Sequence, residues 1–242
     1  MKGIILAGGT GSRLHPLTKV TNKHLLPMGN YPMIVHSIKK LVNAKITDIM
    51  IITGTEHMGD MISLLGSGAE YDCSFTFRVQ DRPDGIGGAL ALCENFVGTD
   101  SCVVILGDNI FEDTLNQYVN EFIQNNRSCQ LLLKEVPDPE RYGVATFQGN
   151  RVTKIEEKPK HPKSKHAITG IYMYDNKVFD IINTLAPSAR GEYEITDINN
   201  AYIHAGEMFY KVMKGWWTDA GTLTSYQKAN QLVTSHQSER ER

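Results

Sequence analysis

Apolar residues in the first half of the chain form short, dense runs separated by segments with helical spacing. The runs Gly3–Leu6, Asp48–Thr53, Ser74–Arg78, Cys102–Leu106 and Gln130–Glu135 read as strands, and near-continuous apolar runs mark strands covered on both faces. Between them, Ile34, Val35, Ile38, Leu41 and Val42 make one apolar helical stripe, and Leu115, Val119, Phe122 and Ile123 make another. Pro32 stands at the start of the first helix and Asn43 near its end. This alternation predicts a parallel sheet with helices on both faces.

After Pro137 the pattern changes. Gly143–Phe147 and Val152–Glu156, separated by Gly149-Asn150, predict a hairpin, and Ile168–Tyr174 a further strand. Val178, Ile181, Ile182 and Leu185 predict a helix, Met208–Lys214 a strand, and the segment from Thr222 to about Val233 a closing helix. The basic stretch Lys158–His166 contains two prolines and reads as a solvated loop. The expected fold is a single-domain, Rossmann-like α/β structure over residues 1–233, with a mixed, mainly parallel sheet and a small antiparallel portion. Residues 234–242 read as a polar tail, expected to fray from Ser235 to Arg242.

Composition narrows the classes of function. The chain has 242 residues, 41% of them hydrophobic, which supports a substantial core. Its net charge of −2 gives no general attraction for nucleic acid or an anionic membrane, so an anionic ligand must be met by a local cluster. No apolar run approaches the roughly 18 residues that span a bilayer. The apolar stretch near the N-terminus stops at Gly8, too short for the core of a secretory signal, and the expected location is cytoplasmic. Cys73, Cys93, Cys102 and Cys129 show no Cys-x-x-Cys or metal-ligand spacing and read as reduced core thiols.

The strongest local signal is Leu6-Ala7-Gly8-Gly9-Thr10-Gly11-Ser12-Arg13-Leu14. Glycines directly after the first strand let the backbone approach a ligand at the sheet edge where open α/β folds bind one. Successive amides can cradle phosphate oxygens, and Arg13 adds a fork suited to bidentate contacts. Tested by letter, a dinucleotide fingerprint is weakened and a Walker-type loop fails. Leu14 stands where a dinucleotide fingerprint needs its third glycine, and Arg13-Leu14 stands where a Walker-type loop needs Gly-Lys.

Beyond the loop comes Lys23-His24-Leu25-Leu26-Pro27. Together, Gly-Gly-x-Gly-Ser-Arg-Leu and Lys-x-Leu-Leu-Pro resemble the signature of the sugar-1-phosphate nucleotidyltransferases, and within them the glucose-1-phosphate thymidylyltransferases. The resemblance continues in order through Gln80 with Pro83-Asp84-Gly85, Leu106-Gly107-Asp108-Asn109, Tyr142-Gly143-Val144, Glu156-Glu157-Lys158-Pro159, Thr169-Gly170-Ile171-Tyr172, Arg190–Asp197 and Trp217–Thr222.

That resemblance implies magnesium-dependent transfer of dTMP from dTTP to glucose 1-phosphate, with release of pyrophosphate. Two polyanions must meet, so neutralisation and positioning dominate the catalytic task. The attacking phosphomonoester has a second pKa of roughly 6 and needs no strong base. By the same resemblance, Arg13, Lys23 and Lys158 are the catalytic cations and Asp108 and Asp219 hold the magnesium, which is typically bound by one or two carboxylates plus substrate phosphates. Leu6, Ala7, Gly8, Gly9, Gly11, Gln80, Pro83, Gly85 and Asp108 would bind nucleotide. Gln80 has both the donor and the acceptor that a pyrimidine edge requires. Asn109, Gly143, Glu157, Lys158, Thr169 and Tyr172 would bind the sugar in the antiparallel portion, with Glu194 and Asp197 organising that pocket. Glu157 and Lys158 can both reach one ligand only where their strand is ending, as Pro159 suggests.

The chain departs from the family pattern in three places. His24 replaces a common glutamine, Ala220 stands where threonine is frequent, and Ile86-Gly87-Gly88-Ala89 replaces the more usual Leu-Ala-Gln-Ala. The C-terminal extension of longer members is missing, and with it any basis for carrying over feedback control. The family habit implies a homo-oligomer. Two other readings use the same pocket: transfer from UTP, and a silent nucleotide-sugar sensor. A dinucleotide-dependent oxidoreductase would share only the alternating pattern.

Overall fold

A computed structural model describes residues 1–240, with side chains described through residue 235. Strand β1 (Lys2–Ala7) leads through the glycine loop and a small ribbon, β2 (Pro27–Met28) and β3 (Tyr31–Pro32), into helix α1 (Met33–Asn43). There follow β4 (Asp48–Thr53), α2 (Met58–Leu65), β5 (Ser74–Val79), α3 (Gly85–Ala91), α4 (Glu94–Val97), β6 (Cys102–Leu106), β7 (Asn109–Phe111), α5 (Asn116–Gln124) and β8 (Cys129–Glu135). The second half contains β9 (Gly143–Gln148), β10 (Arg151–Glu157), β11 (His166–Tyr174), α6 (Lys177–Thr184), α7 (Ile195–His204), β12 (Met208–Val212), β13 (Trp217–Asp219) and α8 (Leu223–Arg240).

The main sheet runs β10-β9-β11-β6-β1-β4-β5, with β8 branching from β11 and β12 pairing with β8. Strands β5, β4, β1 and β6 are mutually parallel, whereas β11 meets β6, β8 and β9 antiparallel. The sheet is therefore mixed, as expected, with β9, β10 and β11 forming its antiparallel part.

Side chains alternate across each strand, so one run feeds two cores. Ile5, Ile49, Ile51, Val103 and Ile105 pack on one face beneath α1 and α5, and Ile4, Met50, Ile52 and Val104 pack on the other against α3, α6 and α7. Ile34, Ile38 and Leu41 of α1 are fully buried, each contributing about 2 kcal/mol of transfer free energy. A third cluster, Met28, Met33, Ile110, Ala220, Ala229 and Val233, seats α8 across the ribbon and β7.

Several boundaries differ from the sequence reading. Helix α8 continues past Val233 to Arg240, so the tail expected to fray from Ser235 is helical to Arg240, and residues 241–242 lie outside the described residues. The expected Ile123 anchor is 55% exposed, and Tyr118 fills that place in the α5 stripe. Lys158–His166 is not wholly solvated, because Pro159 is buried and Ser164 Oγ donates to the Ala145 carbonyl at 2.6 Å. The four cysteines are free thiols, and Cys93, Cys102 and Cys129 are buried. No helix among the described residues is long and apolar enough to cross a membrane.

Candidate active site

The carboxyl ends of β1, β4, β5 and β6 open on one cleft. After Ala7 the chain turns through Gly11, whose φ of 68° is a left-handed value that glycine adopts without strain. Thr18 Oγ1 donates to the Gly11 carbonyl at 2.7 Å, Asn22 Nδ2 donates to the Ala7 carbonyl at 3.2 Å, and fully buried Leu14 anchors the turn. The Gly107 amide donates to Leu6 O at 2.9 Å, prolonging the β1–β6 pairing and delivering Asp108 to the cleft. A Cβ at Gly107 would lie 2.7 Å from the His24 ring, so this approach needs glycine. His24 is itself buried, with Nδ1 2.7 Å from Asn22 Oδ1, and burial reinforced by the Lys23 charge pushes its imidazole down to about 3.

The ribbon of β7 and β13 brings the two aspartates together. Asp219 pairs in register with Asn109, and the Ala220 amide donates to Asp108 O at 2.8 Å. A Cβ placed on Gly221 would stand 2.6 Å from Asp219 Oδ1, 3.0 Å from Arg13 Nη2 and 3.5 Å from Asp108 Oδ2. Two carboxylates and a guanidinium thus face one small space. Lys23 Nζ donates to Asp108 Oδ2, and both side chains are about nine-tenths buried. Burial opposes ionisation of Asp108, yet the Lys23 ammonium holds its carboxyl below the usual carboxylate range. Asp219 shifts the other way, raised by burial and by the Asp108 charge.

A cavity of about 360 Å³ lies on one side of Asp108, bordered by Gly8, Gly9, Lys23, Gln80, Gly85 and Ile86. Gln80 leaves β5 with its amide bonded to Thr53 O at 2.9 Å, and its side-chain Nε2 donates to Asp84 Oδ1 at 2.6 Å. The segment 188–194 closes over this end. The Tyr193 amide donates to Asp84 O at 2.8 Å and the Gly87 amide to Tyr193 O at 2.9 Å, while Arg190 pairs with Glu192 and Glu194 at 3.2 and 2.9 Å.

A second cavity, about 230 Å³, shares Asp108, Glu157 and Lys158 with the first and continues past Asn109, Gly143 and Tyr172. Strand β10 ends at Glu157, and Lys158 takes a φ of 43°, a left-handed conformation costing a non-glycine residue about 1–2 kcal/mol. That bend turns two consecutive charged side chains toward one space. They pair at 3.1 Å, and Glu157 Oε2 also accepts from Thr196 Oγ1 at 3.2 Å. Asn109 Oδ1 accepts from the Gly170 amide at 2.9 Å and from Trp217 Nε1 at 2.7 Å, tying three strands together at the cavity wall.

Of the residues expected in the site, Leu6, Gly8, Gly9, Lys23, Gln80, Pro83, Gly85 and Asp108 border the first cavity. Arg13, Asn109, Gly143, Tyr172 and Asp219 border the second, and Asp108, Glu157 and Lys158 border both. Ala7, Gly11 and Thr169 border neither. Ala7 and Gly11 shape the loop, and fully buried Thr169 donates its hydroxyl to Leu132 O at 2.7 Å across an irregularity in the β11–β8 register. Glu194 lies on the first cavity and not the second, and Asp197 on neither. Sequence reasoning missed Arg141, Trp217 and Asn199. Asn199 is buried on α7 and accepts from Tyr174 OH at 2.5 Å, and its Nδ2 has no hydrogen-bond partner among the described residues. Helix α7 was itself not predicted, the Arg190–Asp197 stretch standing out only as a family motif, and nothing in spacing alone aims Asn199 at a cavity.

A glycine loop, cations and paired carboxylates gathered at the carboxyl edge of parallel strands define a nucleotide-binding protein of the α/β class. The chain belongs to the nucleotidyl transferase family, whose profile matches residues 2–236. It is 40% identical over 241 residues to a glucose-1-phosphate thymidylyltransferase of Neisseria meningitidis, covering 98% of this chain and 84% of that one. A glucose-1-phosphate thymidylyltransferase of Mycobacterium tuberculosis is 40% identical over 237 residues, covering 96% and 82%. A Bacillus anthracis crystal structure, provisionally described as a glucose-1-phosphate thymidylyltransferase in complex with sucrose, superposes with a TM-score of 0.94 at 63% identity, covering 97% and 95%. A UDP-glucose pyrophosphorylase complexed with UDP-glucose shares the fold alone, with a TM-score of 0.85 at 22% identity over 97% and 98% of the two chains.

Proposed function

We propose that the chain transfers dTMP from dTTP to glucose 1-phosphate, giving dTDP-glucose and pyrophosphate. The observation that carries this reading is the joining of two cavities at Asp108 and Lys158, one bordered by the glycine loop and Gln80, the other by Glu157 and Tyr172. A triphosphate and a sugar phosphate entering from opposite ends would meet at that junction. The thymidylyltransferase relatives support the choice of base and sugar.

Each charged side chain has a task in this reading. Arg13 holds the outer phosphates and draws charge from the departing pyrophosphate, while Lys23 turns from Asp108 to the phosphate under attack. Lys158 binds the sugar phosphate and aligns its oxygen for in-line displacement. Glu157, steadied by Thr196, accepts from sugar hydroxyls. The backbone amides of Gly8 and Gly9 cradle the triphosphate without adding side-chain bulk. Gln80 and the backbone of Gly85 meet the base.

Asp108 and Asp219 fit a magnesium ion. Burial and then the Asp108 charge raise the Asp219 carboxyl; a divalent cation would relieve that repulsion, and a hard cation with oxygen ligands suits two carboxylates plus phosphates. Bound there, magnesium would neutralise phosphate charge. The protein would work in the cytoplasm, as a homo-oligomer.

The test is pyrophosphate release with magnesium, glucose 1-phosphate and dTTP or UTP, omitting each component in turn, with light scattering for assembly. Release that needs all three and is faster with dTTP supports the reading. Faster release with UTP moves the protein to uridylyl transfer, and tight dTTP binding without release moves it to a sensor.

A further inference from the structure

The first cavity contains a hydrogen bond that the transfer reaction itself does not use. Gln80 Nε2 donates to Asp84 Oδ1 at 2.6 Å, with a longer approach to Gly85 O at 3.4 Å. A carboxylate only accepts, so an amide held against one must present its nitrogen to it and its oxygen elsewhere. Gln80 Oε1 consequently points across the cavity, 3.1 Å from where a Cβ on Gly8 would stand.

Asp84 reaches this position because of Gly88. Asp84 precedes helix α3, yet its side chain makes no capping bond to that helix. It folds back over Gly88, where a Cβ would lie 2.3 Å from Oδ1 and 2.5 Å from Cγ. Any side chain at position 88 expels the carboxylate. The main chain of Asp84 is pinned separately by the Tyr193 amide at 2.8 Å, so the carboxylate can leave without moving the backbone.

We propose that Asp84 is a positioning residue for base selection, locking Gln80 with its carbonyl oxygen toward the ligand so that the site accepts a pyrimidine bearing N3–H and rejects cytosine. This rests on the reading of Gln80 as a base contact. Thymine and uracil donate from N3, whereas cytosine presents a lone pair there, and two acceptors then face each other without a proton between them. A Gln80 side chain free to rotate would answer cytosine by turning its nitrogen inward. Asp84 forbids that rotation by a charge-assisted bond, and Gly88 makes the space for it.

The experiment compares kcat/KM for dUTP and dCTP, which differ only at the edge in question, in the full-length wild type and in Asp84→Asn and Gly88→Ala. Asparagine can bond either end of the Gln80 amide. Alanine at position 88 favours the helix and evicts the carboxylate, so this variant is expected to fold. The readout is a ratio from one preparation, so partial loss of folded protein cancels. The expected result is a wild type that favours dUTP, with the dUTP/dCTP ratio falling about tenfold or more in both variants, mainly through KM for dCTP. A ratio that stays put in either variant while the wild type discriminates overturns the role of Asp84 and leaves the base contact standing. A wild type that turns over dTTP without discriminating dUTP from dCTP also overturns it, and one that turns over none of these nucleotides overturns the underlying reading as well.

Discussion

Lys23→Met isolates the electrostatic part of the site, since methionine keeps much of the lysine stem and removes only the ammonium. The Lys23 and Asp108 side chains are 12% and 11% exposed, so the variant leaves a buried carboxylate without its counter-charge. Removing one partner of a buried pair costs about 3–5 kcal/mol. Asn109 Nδ2 still donates to Asp108 Oδ1 at 3.1 Å, which places the loss near the lower end. For a chain of this size each kcal/mol moves Tm by about 2–4 °C, so a fall of about 6–12 °C is expected at pH 7.

The sign of the pH dependence follows from the same carboxyl. In the wild type Asp108 titrates below its ordinary value, so its contribution is present above the unfolded pKa and lost as pH falls through the folded one. Without Lys23, burial raises the Asp108 pKa, and the folded variant takes up a proton before the unfolded chain does. The gap between the two melting curves must therefore narrow on acidification from pH 7 toward 5. Thermal melts by circular dichroism without nucleotide or metal provide the assay; in the variant His24 also loses the Lys23 charge that helps lower it, which narrows the gap in the same direction. A Tm within about 2 °C of wild type at pH 7, or a gap indifferent to pH, refutes the reasoning.

Asp108→Asn and Arg13→Ala are each expected to cut pyrophosphate release by about a hundredfold or more while the melting curve stays cooperative, and near-normal turnover in both would remove them from the mechanism. His24→Gln should abolish one proton's worth of acid sensitivity. Burial holds the His24 pKa at about 3 against 6.5, so between those values the unfolded chain binds the extra proton and the wild type loses about 1.4 kcal/mol per pH unit that the variant keeps, as denaturant titrations at pH 6 and 5 would read. Lys158→Gly removes a left-handed lysine, so unfolding free energy should change by less than about 1 kcal/mol while KM for glucose 1-phosphate rises steeply.

The strands were readable because each is an uninterrupted apolar run, and burial on both faces is what such a run records. Helix α3 was not, since Gly85-Ile86-Gly87-Gly88 carries poor helix propensity and forms against the 188–194 segment. Helix α2 was missed as well, its apolar face being short. In the site, the charged residues stood out through the family motifs and their order. Thr169 shows the limit of that route, because the register irregularity in β11 turns its hydroxyl into the sheet. In the sequence Gly88 stood only as a departure from the family pattern, and in three dimensions it is the space that holds Asp84.

The β7–β13 ribbon also fixes when the site can exist. Asp108 and its glycine loop belong to the first half of the polypeptide, but the second carboxylate arrives only with Asp219, after every strand of the main sheet has been made. Every residue bordering the first cavity has been made by Ile195, before the chain contains the second of the two acids. A chain ending before β13 therefore carries the Asp108 side of the site without its second acid, and without the Ala220, Ala229 and Val233 part of the third core cluster.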